Sequence, residues 1–220
     1  MTRQIAHHLP DAMLRGYCAG TLPEAFDLVV ASHISLCDEC RARMHAFDAV
    51  GGALLDQADE AELSEDSLAA TFRLIEGIDV EKAKAEETPP PATSGVLPAP
   101  LRSYVGGDLD AVSWKRVGGG VSQAILPVEG DASVRLLRIP GGVEVPDHSH
   151  SGSEMTLVLA GAFSDAAGRF GPGDVEMADD DVTHTPIAEP GEDCICLAAT
   201  EAPLRFSGLL PRLAQKVMRI

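Results

Sequence analysis

The chain has 220 residues, 45% of them hydrophobic, and carries 34 acidic against 17 basic side chains, a formal charge of −17. That length holds one large domain or two small ones around a packed core, and the charge repels phosphate backbones, which argues against direct nucleic-acid binding while suiting a basic protein partner. The opening "MTRQIAHHLPDAML" lacks a charged-then-apolar leader, and no apolar run approaches the ~20 residues that span a membrane, so a cytoplasmic protein is expected.

The first third reads as helices. "PDAMLRGYCAG" opens on proline and aspartate and stops at Gly20, as a short helix does. "LPEAFDLVVASHI" puts Phe26, Val29, Val30 and Ile34 on one stripe at helical spacing. Ser35 with Asp38 reads as a capping box for a third helix ending near Gly51. Ser64 is placed to cap a fourth, which carries Leu68, Phe72 and Ile75 on one face.

"EKAKAEETPPPATSGVLPAP" then breaks the periodicity and reads as a proline-rich linker. Beyond it, "SVRLLRIP", "EMTLVLAGAF", "GDVEMAD" and "DCICLAAT" are short strands divided by Gly/Pro turns, the pattern of a sandwich or small barrel. The expected organisation is α+β in two domains. Residues 1–80 form a small four-helix zinc domain, 81–104 the linker, and 105–220 an all-β barrel with a carboxyl-terminal tail.

Two groups of residues carry chemistry. In "HISLCDEC", His33, Cys37 and Cys40 offer three of the four Cys/His ligands that tetrahedral zinc takes. The adjacent pair His7 and His8 offers the fourth, His8 standing closer to the first helix. A thioredoxin-type redox pair would follow a strand in a βαβ unit, and none precedes these cysteines. The bland alternative is a histidine continuing the apolar stripe and two small core thiols. Five cysteines, an odd number without a secretion signal, favour ligands or thiols over a disulfide framework.

The second group is "GGVEVPDHSHSGSEMTLVLAG", which reads G-x5-H-x-H-x3-E-x6-G. His148 and His150 are two apart and share a strand face, Glu154 follows, and His184 is the remaining histidine of this half and the natural fourth ligand. Three imidazoles and a carboxylate suit Zn, Mn, Fe or Ni. Surface histidines in a Ser/Gly-rich turn are the plain alternative. Cys194 and Cys196 lie on one strand face, too close along an extended chain for an easy disulfide, and read as small buried hydrophobes or a thiol sensor.

With these residues in view, two resemblances emerge. Residues 105–197 resemble the cupins, a double-stranded β-helix. The first cupin motif is complete; in the second, His184 lies ten residues beyond Asp174 and the usual asparagine is absent. The run "HHLPDAMLRGYCAGTLPEAFDLVVASHISLCDECRAR" is similar to the ChrR-type zinc-binding anti-sigma factors. That resemblance implies zinc on His8, His33, Cys37 and Cys40, and a second divalent metal on His148, His150, Glu154 and His184. It also implies a 1:1 complex with an extracytoplasmic-function (ECF) sigma factor, which represses transcription until a singlet-oxygen-type signal acts through the cupin. A cupin oxygenase or isomerase fused to a zinc domain is the competing expectation, since a metal with open positions is catalytic. A metal-storage protein fits less well, because the histidines are placed rather than run together in tracts.

Overall fold

The computed structural model describes residues 5–78, 95–146, 148–149, 152–179, 183–202 and 205–206. Most of the expected linker, His150 and the expected tail lie outside them. Four helices come first: α1 (Asp11–Cys18), α2 (Glu24–Leu36), α3 (Asp38–Leu55) and α4 (Ser67–Glu76). Among the described residues a fifth, α5 (Ala99–Val105), overlaps the end of the stretch read as linker. It begins after the extended Pro98 and closes on Gly106 at φ 79°, so the prolines that suggested a linker here start a helix.

The break between α2 and α3 falls at Cys37, two residues after the expected Ser35. Cys37 is extended (φ −113°, ψ 106°), and its sulfur accepts the Cys40 amide at 3.4 Å, doing the work of a capping oxygen. Ser35 instead donates to the Ser32 carbonyl within α2. Helix α3 continues through Gly51 to Leu55. Helices α1, α2 and α3 pack on one another, while α4 has no buried residue. The expected four-helix domain is thus a packed trio with a fourth helix whose apolar face is bare.

Among the described residues twelve strands follow, all pairing antiparallel. A six-stranded sheet runs β1 (Lys115–Gly118), β2 (Val121–Leu126), β3 (Ser133–Ile139), β11 (Cys194–Thr200), β5 (Glu154–Ala160), β8 (Val175–Ala178). Two three-stranded sheets complete the barrel. One is β10 (Ile187–Ala188), β6 (Phe163–Ser164), β7 (Arg169–Phe170); the other is β12 (Arg205–Phe206), β4 (His148–Ser149), β9 (Thr183–His184).

The central strands β5 and β11 of the large sheet are buried on both faces. Met155, Leu157 and Leu159 of β5 join the core shared with Phe26, Val29 and Val30 of α2. Val158, of opposite parity, joins Ile139, Phe163, Phe170, Cys194 and Cys196 in a second cluster. Helix α2 therefore packs directly on β5 and β11, and one core runs from Leu14 to Leu197. Polar contacts reinforce it: the Glu24 carboxylate accepts the Tyr104 hydroxyl and the Glu129 amide, each at 2.6 Å. No helix among the described residues is long and apolar enough to cross a membrane.

Among the described residues at positive φ, Gly161 is the glycine whose added Cβ would collide with backbone rather than with a side chain. Its φ is 64°, and a Cβ there would stand 2.5 Å from the Asp193 carbonyl oxygen. Gly161→Ala is expected to cost about 2 kcal/mol or more, since αL strain alone costs ~1–3 kcal/mol. A fall in Tm of roughly 4–8 °C follows for a chain of this size. Thermal unfolding beside Gly130→Ala, also at positive φ but with open space around it, isolates the clash. Equal melting of the two variants would refute the close approach.

Candidate metal centres

The first site is assembled at the corner where α2 meets α3. His33 stands near the end of α2, Cys37 between the helices and Cys40 in the first turn of α3, while His8 comes from the segment before α1. His8 Nδ1 lies 3.3 Å from Cys37 Sγ and 3.7 Å from Cys40 Sγ. One donor atom from each of the four residues falls within 4.8 Å of every other. Zinc bonds of 2.0–2.3 Å place tetrahedral ligand atoms roughly 3.3–3.8 Å apart, so a modest contraction fits the ion.

The imidazoles are oriented from behind. His33 is fully buried, and its Nδ1–H donates to the Gly173 carbonyl at 2.9 Å. That leaves Nε2 as a lone pair, buried and without a hydrogen-bond partner. Burial also depresses its pKa to about 4, so the ring stays neutral. An orphaned acceptor beside two sulfurs and a second imidazole is the arrangement a metal satisfies. His8 Nε2 lies 3.3 Å from a Glu39 carboxylate oxygen, which leaves Nδ1 toward the thiols. Burial pushes the Cys40 thiol up to about 11, and Arg43 stands 3.8 Å from its sulfur. A dication offsets the cost of ionising such a thiol.

His7, the other half of the adjacent pair, is placed elsewhere. Its ring lies against Phe170 with centroids 4.4 Å apart, and its Nδ1 is 3.6 Å from Asp174 Oδ2.

The second group lies in the barrel. His184 on β9 pairs in register with His148 on β4, which sets the two backbone positions side by side. Nδ1–H of His184 donates to Asp165 at 3.0 Å and to Glu176 at 3.3 Å. Burial lowers the pKa of His184, but Glu176, Asp165 and the charge of Glu154 outweigh it and bring the ring to about 9. Glu154, at the start of β5, is buried, and its Oε1 accepts the Thr156 hydroxyl at 3.2 Å. Asp165, Glu176 and His184 bring one donor atom each within 4.8 Å of one another, a second group that could hold a metal ion.

Asp165 and Glu176 were not singled out from the sequence. They stand 19 and 8 residues from His184, and no spacing rule joins them to it. Beside them lies a cavity of about 600 Å³ lined by Ser164, Asp165, His184, Thr185 and Glu189 among others. The Cys194 and Cys196 sulfurs are buried and 3.4 Å apart, both thiols free. The Cys194 contact, then burial, raises the Cys196 thiol.

A barrel of this topology, with a helical Cys/His corner seated on one sheet, defines a cupin joined to a helical segment whose Cys/His group could hold a metal ion. Residues 103–203 match the family described as the ChrR cupin-like domain. The chain is 56% identical to the anti-sigma-E factor ChrR of Cereibacter sphaeroides over 216 residues, 98% of this chain and 99% of that protein. It also matches the crystal structure of Rhodobacter sphaeroides SigE in complex with the anti-sigma ChrR, at 55% identity and a TM-score of 0.76. That match covers 90% of this chain and 99% of the other. The chain belongs to the ChrR family of anti-sigma factors. It is a regulator, and the competing expectation of a cupin oxygenase or isomerase is set aside.

Proposed function

We propose that the chain sequesters an ECF sigma factor in a 1:1 complex in the cytoplasm and represses transcription until an oxidative, singlet-oxygen-type signal acts through the cupin. The observation that carries this reading is the likeness over 98% of the chain to an anti-sigma factor. Helix α4 supplies the surface: Leu68, Phe72 and Ile75 are 68%, 55% and 54% exposed, a contiguous apolar face that suits a protein partner. The negative charge suits a basic sigma surface and disfavours DNA.

In this reading zinc is held by His8, His33, Cys37 and Cys40 and fixes the corner between α2 and α3. A second divalent metal (Zn, Mn, Fe or Ni) is held by His148, His150, Glu154 and His184, with Asp165 and Glu176 orienting His184. The labour divides accordingly: residues 1–80 inhibit, and residues 105–220 receive the signal.

The test is a reporter driven by the cognate sigma factor, with either the natural chain or its His148→Ala/Glu154→Ala variant as sole inhibitor. Both strains are expected to show low basal expression. Under singlet oxygen the natural chain should release the reporter and the variant should not. High basal expression with the natural chain would remove the anti-sigma reading. A full response in the variant would move sensing away from the cupin metal.

A further inference from the structure

The two ligand groups meet opposite sides of one short stretch of chain, residues 171–176, comprising a turn and the start of β8. On one side the Gly173 carbonyl accepts the His33 Nδ1–H at 2.9 Å. The Asp174 carboxylate accepts the amides of Ala6 and His7 at 2.7 and 2.9 Å, and the Val175 amide donates to the His7 carbonyl at 3.2 Å. One ligand is thereby oriented, and the residue immediately before another, His8, is pinned. On the other side Glu176 accepts from His184 at 3.3 Å.

The stretch is stiff. Asp174 also accepts the Gly171 amide at 2.8 Å, and residues 173 and 174 exchange backbone hydrogen bonds with Val158 at 2.8 and 3.0 Å. Residues 173–176 are all buried. Gly173 has φ 98°, and a Cβ there would lie 2.7 Å from the Ile5 side chain, so the amino-terminal segment closes on the turn without slack. Stiff, fully bonded segments carry displacement from one end to the other.

We propose that residues 171–176 are a joint that positions His33 and His8 and makes the geometry of the amino-terminal site depend on the state of His184. The proposal rests on the zinc reading of that site. A carboxylate bonded to a metal-bound imidazole is held in one place. When that imidazole loses its metal the ring is no longer fixed, and Glu176, still bonded to it, shifts with it and draws along the backbone carrying Gly173 and Asp174. Outer partners of this kind are worth roughly 10–100-fold in metal affinity.

The experiment uses the full chain with cobalt(II) in place of zinc. The thiolate-to-cobalt absorption reports the amino-terminal site, since its ligands include two sulfurs and the proposed cupin ligands include none. Asp174→Asn and Glu176→Gln are each expected to shift that absorption and to speed transfer of the thiolate-bound cobalt to a chelator by about tenfold. Glu176→Gln is the decisive variant, because its altered side chain faces His184 and not the zinc ligands. An unchanged band and an unchanged transfer rate in Glu176→Gln would overturn the joint. Should that variant not fold, Asp165→Asn, which alters the same imidazole from its other partner, decides in the same way. A natural chain that shows no thiolate–cobalt band removes the zinc reading itself, and this is seen before any variant is compared.

Discussion

Cys37→Ser/Cys40→Ser is expected to abolish metal binding at the amino-terminal site, unfold the packed trio α1–α3 and lose sigma inhibition together. The trio has a thin core of its own, with buried Leu14 on α1 and buried Cys40 as the sole fully enclosed residue of α3. A structural zinc contributes roughly 10–16 kcal/mol of apparent binding free energy. That matches or exceeds the ~5–15 kcal/mol by which whole domains are stable. The damage should also reach the barrel, because α2 covers β5 and β11 and its loss bares Leu157 and Leu197. Metal content by mass spectrometry, circular dichroism and thermal melting check each part. A double variant that keeps both metals and a normal melt would end the zinc reading.

The second large effect is expected at α4, and it separates binding from folding. Phe72→Glu should leave the melting temperature of the free chain unchanged, since the side chain is 55% exposed and α4 buries nothing. It should weaken sigma binding by about thirtyfold or more, because aromatic anchors at interface centres are worth ~2 kcal/mol upward and ~1.4 kcal/mol is tenfold. Titration calorimetry against the cognate sigma factor reads this directly, with Arg73→Glu on the same helix as a charge control. Wild-type affinity in Phe72→Glu would show that this face serves something other than the sigma contact.

How much of this was legible beforehand differs from residue to residue, for physical reasons. The stripe Phe26, Val29, Val30 and Ile34 was readable from helical period, and all four are buried. What it packs on was not readable, since the strands that cover it lie more than a hundred residues away. The choice between His7 and His8 turns on Asp174, whose carboxylate holds the amide of His7 across 167 residues. Local pattern carries no trace of such a clamp. The helix break was misplaced by two residues because sulfur, an unusual cap, does what Ser35 was expected to do. Helix α5 was overlooked although its start and stop were written in Pro98 and Gly106; the surrounding prolines favoured a linker. In the barrel, the glycine-framed motif announced Glu154, whereas Asp165 and Glu176 reach His184 only through strand order.

The seating of α2 on β5 and β11 also sets a schedule for synthesis. The helix leaves the ribosome within the first forty residues, but the last strand that covers it ends at Thr200. At ~5–20 residues per second, a nascent chain waits on the order of 10–30 s with that apolar helix uncovered. Contacts so distant in sequence also form slowly once the chain is complete. Throughout that interval the helix has no sheet to rest on. On the zinc reading, early capture of a metal ion by Cys37 and Cys40 would shorten that exposure, and zinc-starved cells are expected to accumulate this protein in insoluble form, which fractionation of a lysate checks.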